Sequence, residues 1–293
     1  MKTFFKPFFD SLLFSNLFMA LCAVAQALVT LQLIGARPTT YPLFVLLFVS
    51  TIFTYNLNVF AGKPKEPQAS PFLRVRWFFK HNKVMVLITI ISGIVLMPLF
   101  FLLSPVSQIL LVFLSVLSIG YGLPIFSIRG KKFGLRSVPG IKSLMIALVW
   151  TVSGVLLPIF EAERAQLVRL SFSDEAILFA KRFVFIFALT IPFDIRDLFQ
   201  DSIEGVKTIP VIFGEKKAYL FCQALLAIYM VLLFLFRGNG FSPDFFALGL
   251  TTILTGWLIF KSEWEKDEYY YFFYMDGILI LQYVILLAFK FIP

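Results

Sequence analysis

Nine apolar runs divide this 293-residue chain, and they constrain its fold more than any other feature. A helix that crosses a membrane needs about 20 consecutive apolar residues, which is the typical length of these runs. The pattern therefore predicts an all-α, polytopic membrane protein with about nine transmembrane helices in a single domain, residues 1–293. The runs lie at residues 12–34, 41–60, 84–103, 106–126, 141–160, 176–199, 218–236, 243–261 and 270–291.

The composition excludes several classes of protein. The chain is 59% hydrophobic and 15% charged, whereas soluble domains are about 45–50% apolar and about 25% charged. A soluble enzyme, a disordered chain and a disulfide scaffold are therefore excluded. The only histidine is His81, so a histidine-based triad or a multi-histidine metal site is also excluded. No soluble domain remains to bind nucleic acid, and nothing in the sequence indicates a protein partner.

Lysine and arginine are unevenly distributed between alternate loops. If the N-terminus is inside, the inner segments hold 19 of the 26 basic residues and the outer segments hold 7. Cytoplasmic loops are enriched in Lys and Arg, so the N-terminus is predicted to be cytoplasmic, in the inner membrane if the source is a bacterium. The first run also resembles a signal peptide with a cleavage site near Ala25. However, it continues to Ile34, which is the length of a membrane span.

Carboxylates are scarce until the end of the sixth run. There Asp194, Asp197 and Asp201 are spaced i, i+3 and i+7, which places them on one face of a helix. Carboxylates this close repel each other unless a cation lies between them, and Mg²⁺ binds carboxylate and phosphate oxygens. The spacing predicts a metal–phosphate site, with Gly205 ending the helix and Lys207 within reach of a phosphate. The alternative is a solvated helix end whose charge is partly offset by the neighbouring arginine.

The segment from Asp194 to Pro210 resembles a known family. It reads Asp-x-x-Asp-x-x-x-Asp-x-x-x-Gly-x-Lys-Thr-x-Pro, which is similar to the second aspartate-rich motif of the UbiA-type intramembrane prenyltransferases. Weaker similarities are the Tyr-Gly-Leu-Pro sequence at 121–124, the Pro-Gly-Ile-Lys-Ser sequence at 139–143 and the Asp-Gly pair at 276–277. The resemblance covers nearly the whole chain, and it implies nine helices around a site on the cytoplasmic side.

The resemblance also implies a reaction. A prenyl diphosphate would give up its isoprenoid chain to a small lipophilic acceptor, an aromatic ring or another nucleophile, in an apolar tunnel within the membrane lipid. Asp194, Asp197 and Asp201 would hold Mg²⁺, and Asp197 and Asp201 would act in catalysis. Tyr121 would line the tunnel and stabilise the allylic cation with its ring, although an aromatic anchor at the membrane interface is the alternative.

The first aspartate-rich motif of the family is missing. The family reads Asn-Asp-x-x-Asp-x-x-x-Asp at the inner end of the second span. If Asn56 matches the motif asparagine, the three aspartates are replaced by Leu57, Phe60 and Pro64. The two-sided metal clamp of the family therefore cannot be built in its usual form.

Three interpretations of this loss stay open. In the first, neutral asparagine oxygens and the basic loop 63–83 bind the diphosphate with fewer metal ions. In the second, the protein binds an isoprenoid or quinone without catalysis, and in the third the site serves another substrate. For the first interpretation, the candidate substrate-binding residues are Asn56, Asn58, Arg74, Arg76, Lys142 and Lys207. A phosphatidyl-transfer enzyme is disfavoured, because the Asp-Gly-x-x-Ala-Arg run of that family is absent.

Two other acidic features are predicted to be structural. The acids between Glu263 and Glu268 are mixed with lysines, which is typical of a solvated loop. Asp276 lies inside the last run, where we expect it to pair with another residue of the bundle.

Overall fold

Long apolar helices form most of the described chain. The structure is a computed structural model that describes residues 6–38, 41–122, 126–128, 131–134, 138, 140–238, 240–265 and 267–290. Within these ranges, eight helices are long and apolar enough to cross a membrane, and another apolar helix, Pro105–Tyr121, is shorter. Each predicted run thus forms a helix, and the all-α polytopic fold is confirmed. The eight helices long and apolar enough to cross a membrane are 17–34, 41–61, 82–102, 141–164, 172–196, 215–238, 243–261 and 270–289.

Fourteen α-helices follow one another along the described ranges. They are α1 (Lys6–Phe14), α2 (Leu17–Ile34), α3 (Tyr41–Ala61), α4 (Leu73–Lys80), α5 (Asn82–Leu102), α6 (Pro105–Gly122), α7 (Ile141–Thr151), α8 (Leu157–Arg164), α9 (Phe172–Arg196), α10 (Leu198–Glu204), α11 (Ile209–Phe213), α12 (Glu215–Leu235), α13 (Pro243–Lys261) and α14 (Asp276–Phe289). A short antiparallel hairpin, β1 (Phe126–Ile128) and β2 (Lys131–Phe133), lies between α6 and α7.

Two of the spans contain a π-helical segment. Val152–Leu156 joins α7 to α8, and Tyr270–Met275 leads into α14. Segments of this kind frequently lie at functional sites. The Thr30 hydroxyl donates a hydrogen bond of 2.6 Å to the Gly154 carbonyl, which ties the first segment to α2. The second segment supplies aromatic rings to the candidate site.

The helices pack around two central members. Helix α2 packs against α3 and α14, while α9 packs against α7 and α12. The largest apolar core lies between α2, α7, α9, α12, α13 and α14. Helix α5 packs mainly against α3 and is the least buried of the eight long spans. The α5 side of the bundle therefore presents the most apolar surface to lipid.

A buried polar network crosses the middle of the bundle. Arg182 on α9 is 1% exposed, and its Nη1 donates hydrogen bonds of 2.9 Å to Oε1 of Gln26 and Oε1 of Gln282. Gln26 Nε2 in turn donates to the Leu279 carbonyl at 2.9 Å. A charged side chain at membrane depth is costly unless it finds such partners. The network links α9 to the first and last spanning helices.

Candidate functional site

The acidic cluster lies where α9 gives way to α10. Helix α9 ends at Arg196, and Asp197 forms the junction with φ −89° and ψ 5°. Helix α10 ends at Glu204 and is capped by Gly205, whose φ of 72° is left-handed as predicted. The prediction of one uninterrupted helical face is wrong at Asp197, because the polar end of the span forms a separate short helix. The carboxylates consequently reach two different cations.

One ammonium group holds two of the three carboxylates. Lys142 Nζ lies 3.1 Å from Asp194 Oδ1 and 2.8 Å from Asp201 Oδ2. Both aspartate side chains are only 2% exposed, and the Ser143 hydroxyl also donates to Asp194. The cation that two neighbouring carboxylates require is here a side chain from the first turn of α7.

Asp197 pairs with the preceding arginine in an aromatic setting. Arg196 Nε donates to Asp197 Oδ1 at 2.8 Å. Its guanidinium carbon lies 5.3, 5.0 and 5.5 Å from the ring centroids of Phe193, Tyr271 and Phe272, a geometry that favours cation–π attraction. Arg196 Nη1 is buried and has no hydrogen-bond partner among the described residues. This donor is available to a ligand.

A second guanidinium comes from α4, between the second and third spans. The Arg74 guanidinium carbon lies 5.2 Å from the ring centroid of Phe272, and its Nη2 donates to Asn16 Oδ1 at 2.6 Å. Arg74 Nε is buried and has no partner within the described ranges. Burial lowers the pKa of Arg74 from its ordinary value, but an arginine stays protonated at neutral pH. Arg74 therefore adds a second unsatisfied cationic donor.

These charged groups surround one cavity of about 210 Å³, which we call the charged cavity. The Trp150 indole N–H donates to the Tyr55 hydroxyl at 3.0 Å on its apolar side. No group of three or more His, Cys, Asp or Glu side chains in the described ranges is arranged to hold a metal ion. The charged residues that line the cavity are Arg74, Lys142, Asp194, Arg196, Asp197 and Asp276.

Two further cavities extend from the charged cavity towards the lipid. The middle cavity, about 290 Å³, shares Tyr55, Arg74, Ile146 and Trp150 with it. The outer cavity, about 460 Å³, lies between α3, α5 and α6 and shares Ser118 with the middle one. Together they mark a mostly apolar route from the charged groups to the least buried side of the bundle.

The structure brings several predicted site residues together around these cavities. Asp194, Asp197, Arg74 and Lys142 line the charged cavity. Asn58 and Tyr121 line the middle cavity beside Arg74.

Four predicted site residues do not line these cavities. Asn56 is fully buried, and Asp201 lies behind Lys142, to which it is bonded. Arg76 Nη1 donates to the Ser70 and Pro71 carbonyls. The Lys207 residue is exposed, and its carbonyl accepts a 2.7 Å hydrogen bond from the Gly140 N–H. This last contact ties the loop after α10 to the start of α7, which carries Lys142.

Sequence reasoning misjudged two acids near the site. Glu268 is not solvated, because it is 9% exposed and accepts hydrogen bonds from the Leu73 and Arg74 N–H groups at 2.5 and 3.1 Å. The sequence of α4 contains a signal for this contact, because its N-cap residue is Phe72, which makes no side-chain cap. The N–H groups at the start of a helix without its own cap need acceptors from elsewhere. Asp276 lines the charged cavity together with Arg74 and Arg196. Asp276 therefore faces the candidate site, and the sequence did not predict this.

The sequence profile of the UbiA prenyltransferase family matches residues 80–276. This chain belongs to that family. No curated protein matches it in sequence. Membership supports a prenyltransferase-like function for this UbiA protein and its location as a multi-pass integral membrane protein.

Solved UbiA structures share the fold. A UbiA homologue from Archaeoglobus fulgidus bound to GPP and Mg²⁺ is 13% identical, with a TM-score of 0.68 over 96% of this chain and 99% of that chain. An apo UbiA homologue from Aeropyrum pernix K1 is 13% identical, with a TM-score of 0.63 over 94% and 97%. A structure of digeranylgeranylglyceryl phosphate synthase in membranes is 18% identical, with a TM-score of 0.52 over 99% and 98%. At these identities the likeness concerns the fold alone.

Proposed function

We propose that this UbiA protein is a membrane prenyltransferase that binds a prenyl diphosphate in the charged cavity. The observation that carries the proposal is the pair of guanidinium groups, Arg74 and Arg196, each with a buried donor that lacks a partner among the described residues. An unsatisfied buried polar group costs about 1–3 kcal/mol. A diphosphate has several charged oxygen acceptors, and charge-assisted hydrogen bonds to arginine are strong.

Mg²⁺ is the cofactor of this proposal. Asp194 and Asp197 line the same cavity. No three carboxylates in the described ranges are arranged to hold a metal ion, but two are enough when a diphosphate supplies the remaining oxygens. Mg²⁺ usually binds one or two carboxylates together with substrate phosphates. Asp194 and Asp197 would hold the ion, while Asp201 stays bonded to Lys142 behind them, and the ion would neutralise charge on the departing diphosphate. Since the first motif is missing, arginine and lysine side chains supply the remaining positive charge.

The proposed reaction breaks the bond between the prenyl carbon and the diphosphate oxygen. Arg74 and Arg196 stabilise the negative charge that develops on the leaving group. The apolar wall near Trp150 keeps water from the allylic cation, and the Tyr121 ring in the middle cavity faces the path of the chain. The acceptor then forms a bond to the prenyl carbon and loses its proton.

The isoprenoid tail is assigned to the middle and outer cavities. Their lining is mainly apolar, with small hydroxyl side chains such as Ser115 and Ser118 between larger aliphatic and aromatic groups. The diphosphate end would face the cytoplasm, in keeping with the 19 basic residues of the inner segments and the positive-inside rule. The substrate would therefore enter with its charged end in water and its tail in lipid.

A second candidate function is binding of an isoprenoid or quinone without turnover. One specific observation favours it: Lys142 forms ion pairs with both Asp194 and Asp201, and Arg196 forms an ion pair with Asp197. A protein in which internal cations permanently neutralise all three carboxylates would bind a substrate and leave it intact. Release of inorganic diphosphate from geranyl diphosphate in the presence of Mg²⁺ and membrane lipid extract would distinguish transfer from binding.

Binding of geranyl diphosphate to the protein in lipid nanodiscs tests the proposal, with geraniol as the comparison ligand. The diphosphate should bind in preference to the alcohol, and Arg74→Gln should weaken binding by about tenfold or more, because hydrogen bonds to charged groups contribute about 1.5–3 kcal/mol. Arg76→Gln is the matched control, since Arg76 bonds to backbone carbonyls outside the cavity. Equal affinity for geraniol and geranyl diphosphate would contradict the proposal. If Arg74→Gln and Arg76→Gln weaken binding equally, Arg74 is only one of the basic residues that the positive-inside rule predicts for this loop.

A further inference from the structure

A chain of four hydrogen bonds leads from the backbone of α5 to the charged cavity. The Thr89 hydroxyl donates to the Met85 carbonyl at 2.7 Å, and Asn56 Nδ2 donates to Thr89 Oγ1 at 3.1 Å. Asn16 Nδ2 donates to Asn56 Oδ1 at 2.7 Å, and Arg74 Nη2 donates to Asn16 Oδ1 at 2.6 Å. The chain connects α5, α3, the start of α2 and α4 in one line.

The chain can run in only one direction. A guanidinium has donors and no acceptor, whereas an amide has one acceptor oxygen and one donor nitrogen. The Asn16 oxygen must therefore face Arg74, which leaves its nitrogen to find an acceptor. Asn56 Oδ1 provides that acceptor, and the Asn56 nitrogen is then directed to Thr89. The orientation of both amides follows from the guanidinium at the end of the chain.

The absence of charge on the Asn16 side chain matters as much as its shape. An aspartate at this position would pair with Arg74 and cancel the charge that a diphosphate needs, whereas a neutral amide holds the guanidinium and leaves its charge intact. Asn16 is 2% exposed and Asn56 is fully buried. Solvent therefore does not compete for the hydrogen bond between these two amides.

The backbone at Asn16 also fits this role. Asn16 joins α1 to α2 with a φ of 70°, a left-handed conformation in which asparagine is several-fold enriched over most residues. Strained positions of this kind persist where the surroundings fix them, and they cluster at functional sites. Glu268 meanwhile fixes the backbone of α4 through its bonds to the Leu73 and Arg74 N–H groups, so that Arg74 is held at both ends.

We infer that Asn16 and Asn56 are positioning residues that orient the Arg74 guanidinium for the diphosphate. The inference rests on the proposed function. The resemblance matches Asn56 to the motif asparagine, but Asn56 is fully buried inside the bundle and would act on the substrate only through Asn16 and Arg74. On this match, the remaining asparagine of the motif would support the Arg74 cation in place of a bound metal ion.

A double-mutant cycle on geranyl diphosphate binding tests the inference. Asn16→Gly removes the amide and retains the left-handed backbone, and it should weaken binding by about tenfold when Arg74 is present. In an Arg74→Gln background the same change should alter affinity less than twofold. Asn56→Ala should show the same dependence on Arg74, and it serves as the second variant if Asn16→Gly does not fold. Thermal unfolding of each variant confirms that the folded protein is being compared.

The outcomes of the cycle are distinct. Losses that depend on Arg74 for either asparagine support the inference, because a general structural defect would weaken binding equally in both backgrounds. Equal losses in both backgrounds, or no loss with Arg74 present, would overturn it. Failure of the wild-type protein to bind geranyl diphosphate would overturn the proposed function, and this inference with it, and wild-type binding is measured separately from the cycle.

Discussion

Replacement of Lys142 by methionine should make the stability of this protein depend on Mg²⁺. Methionine keeps a similar length and removes the ammonium group that lies 3.1 Å from Asp194 and 2.8 Å from Asp201. Two carboxylates with 2% exposed side chains would then face each other without a counter-charge. Removal of one partner from a buried ion pair costs about 3–5 kcal/mol, and one cation here serves two anions. We expect a loss near the upper end of that range in a metal-free buffer.

Mg²⁺ should restore much of this loss in Lys142→Met and stabilise the wild-type protein far less. A ligand at about 1,000 times its dissociation constant stabilises the folded state by about 4.1 kcal/mol. For a chain of this size about 1 kcal/mol corresponds to about 2 °C in Tm. Thermal unfolding in detergent should therefore show a Tm about 10 °C below the wild type in EDTA, and a recovery of about 8 °C in Mg²⁺.

The control for this prediction is the Lys142→Met, Asp201→Asn double variant. Removal of one carboxylate relieves the repulsion, so the double variant should be more stable in EDTA than Lys142→Met and should respond less to Mg²⁺. If Lys142→Met is as stable as the wild type in EDTA, the buried ion pairs do not carry the charge balance argued from their geometry. If Mg²⁺ raises the Tm of both proteins equally, the ion binds elsewhere.

Two further predictions concern the cavities. Ser118→Phe, at the junction of the middle and outer cavities, should weaken binding of geranyl diphosphate and leave binding of dimethylallyl diphosphate nearly unaffected, because only the longer tail has to pass Ser118. Ile109→Phe is the control, since Ile109 lies on the same helix and is 72% exposed on its lipid side. Equal losses of affinity for both ligands would exclude this path. Asp276→Asn should strengthen binding of geranyl diphosphate several-fold, since it removes a negative charge from the cavity that holds both arginines; weaker binding in a titration would instead mean that the carboxylate assists the substrate.

The sequence predicts the helices well, because a span needs only length and apolar composition. All nine apolar runs correspond to helices in the described ranges, and Gly205 closes α10 as its lack of a side chain favours. Two aspartates of the second motif, Asp194 and Asp197, likewise line one cavity. These features depend on residues that lie close together in the chain.

What the sequence could not predict depends on direction and on distant partners. Arg74 and Arg76 look equivalent in a basic loop, but residues two apart do not share a face of a helix, and only Arg74 turns into the cavity. Asn56 is predicted to face the substrate, but it is fully buried and bonds to Asn16, 40 positions away in the chain. The role of Glu268 could be predicted only by knowing that α4, which begins 195 positions earlier in the chain, lacks a cap of its own.

The buried network around Arg182 has a consequence for how the chain is assembled in the membrane. A helix with an arginine near its centre inserts with a penalty of about 2.5–3.5 kcal/mol, and synthesis proceeds from the N-terminus. Gln26 is already in the membrane when the span of Arg182 emerges, but Gln282 belongs to the last span and arrives when synthesis is nearly complete. Until then the guanidinium has only half of its final acceptors. Docking of the last helix is therefore the step that supplies the second acceptor of Arg182 and closes the assembly of the bundle.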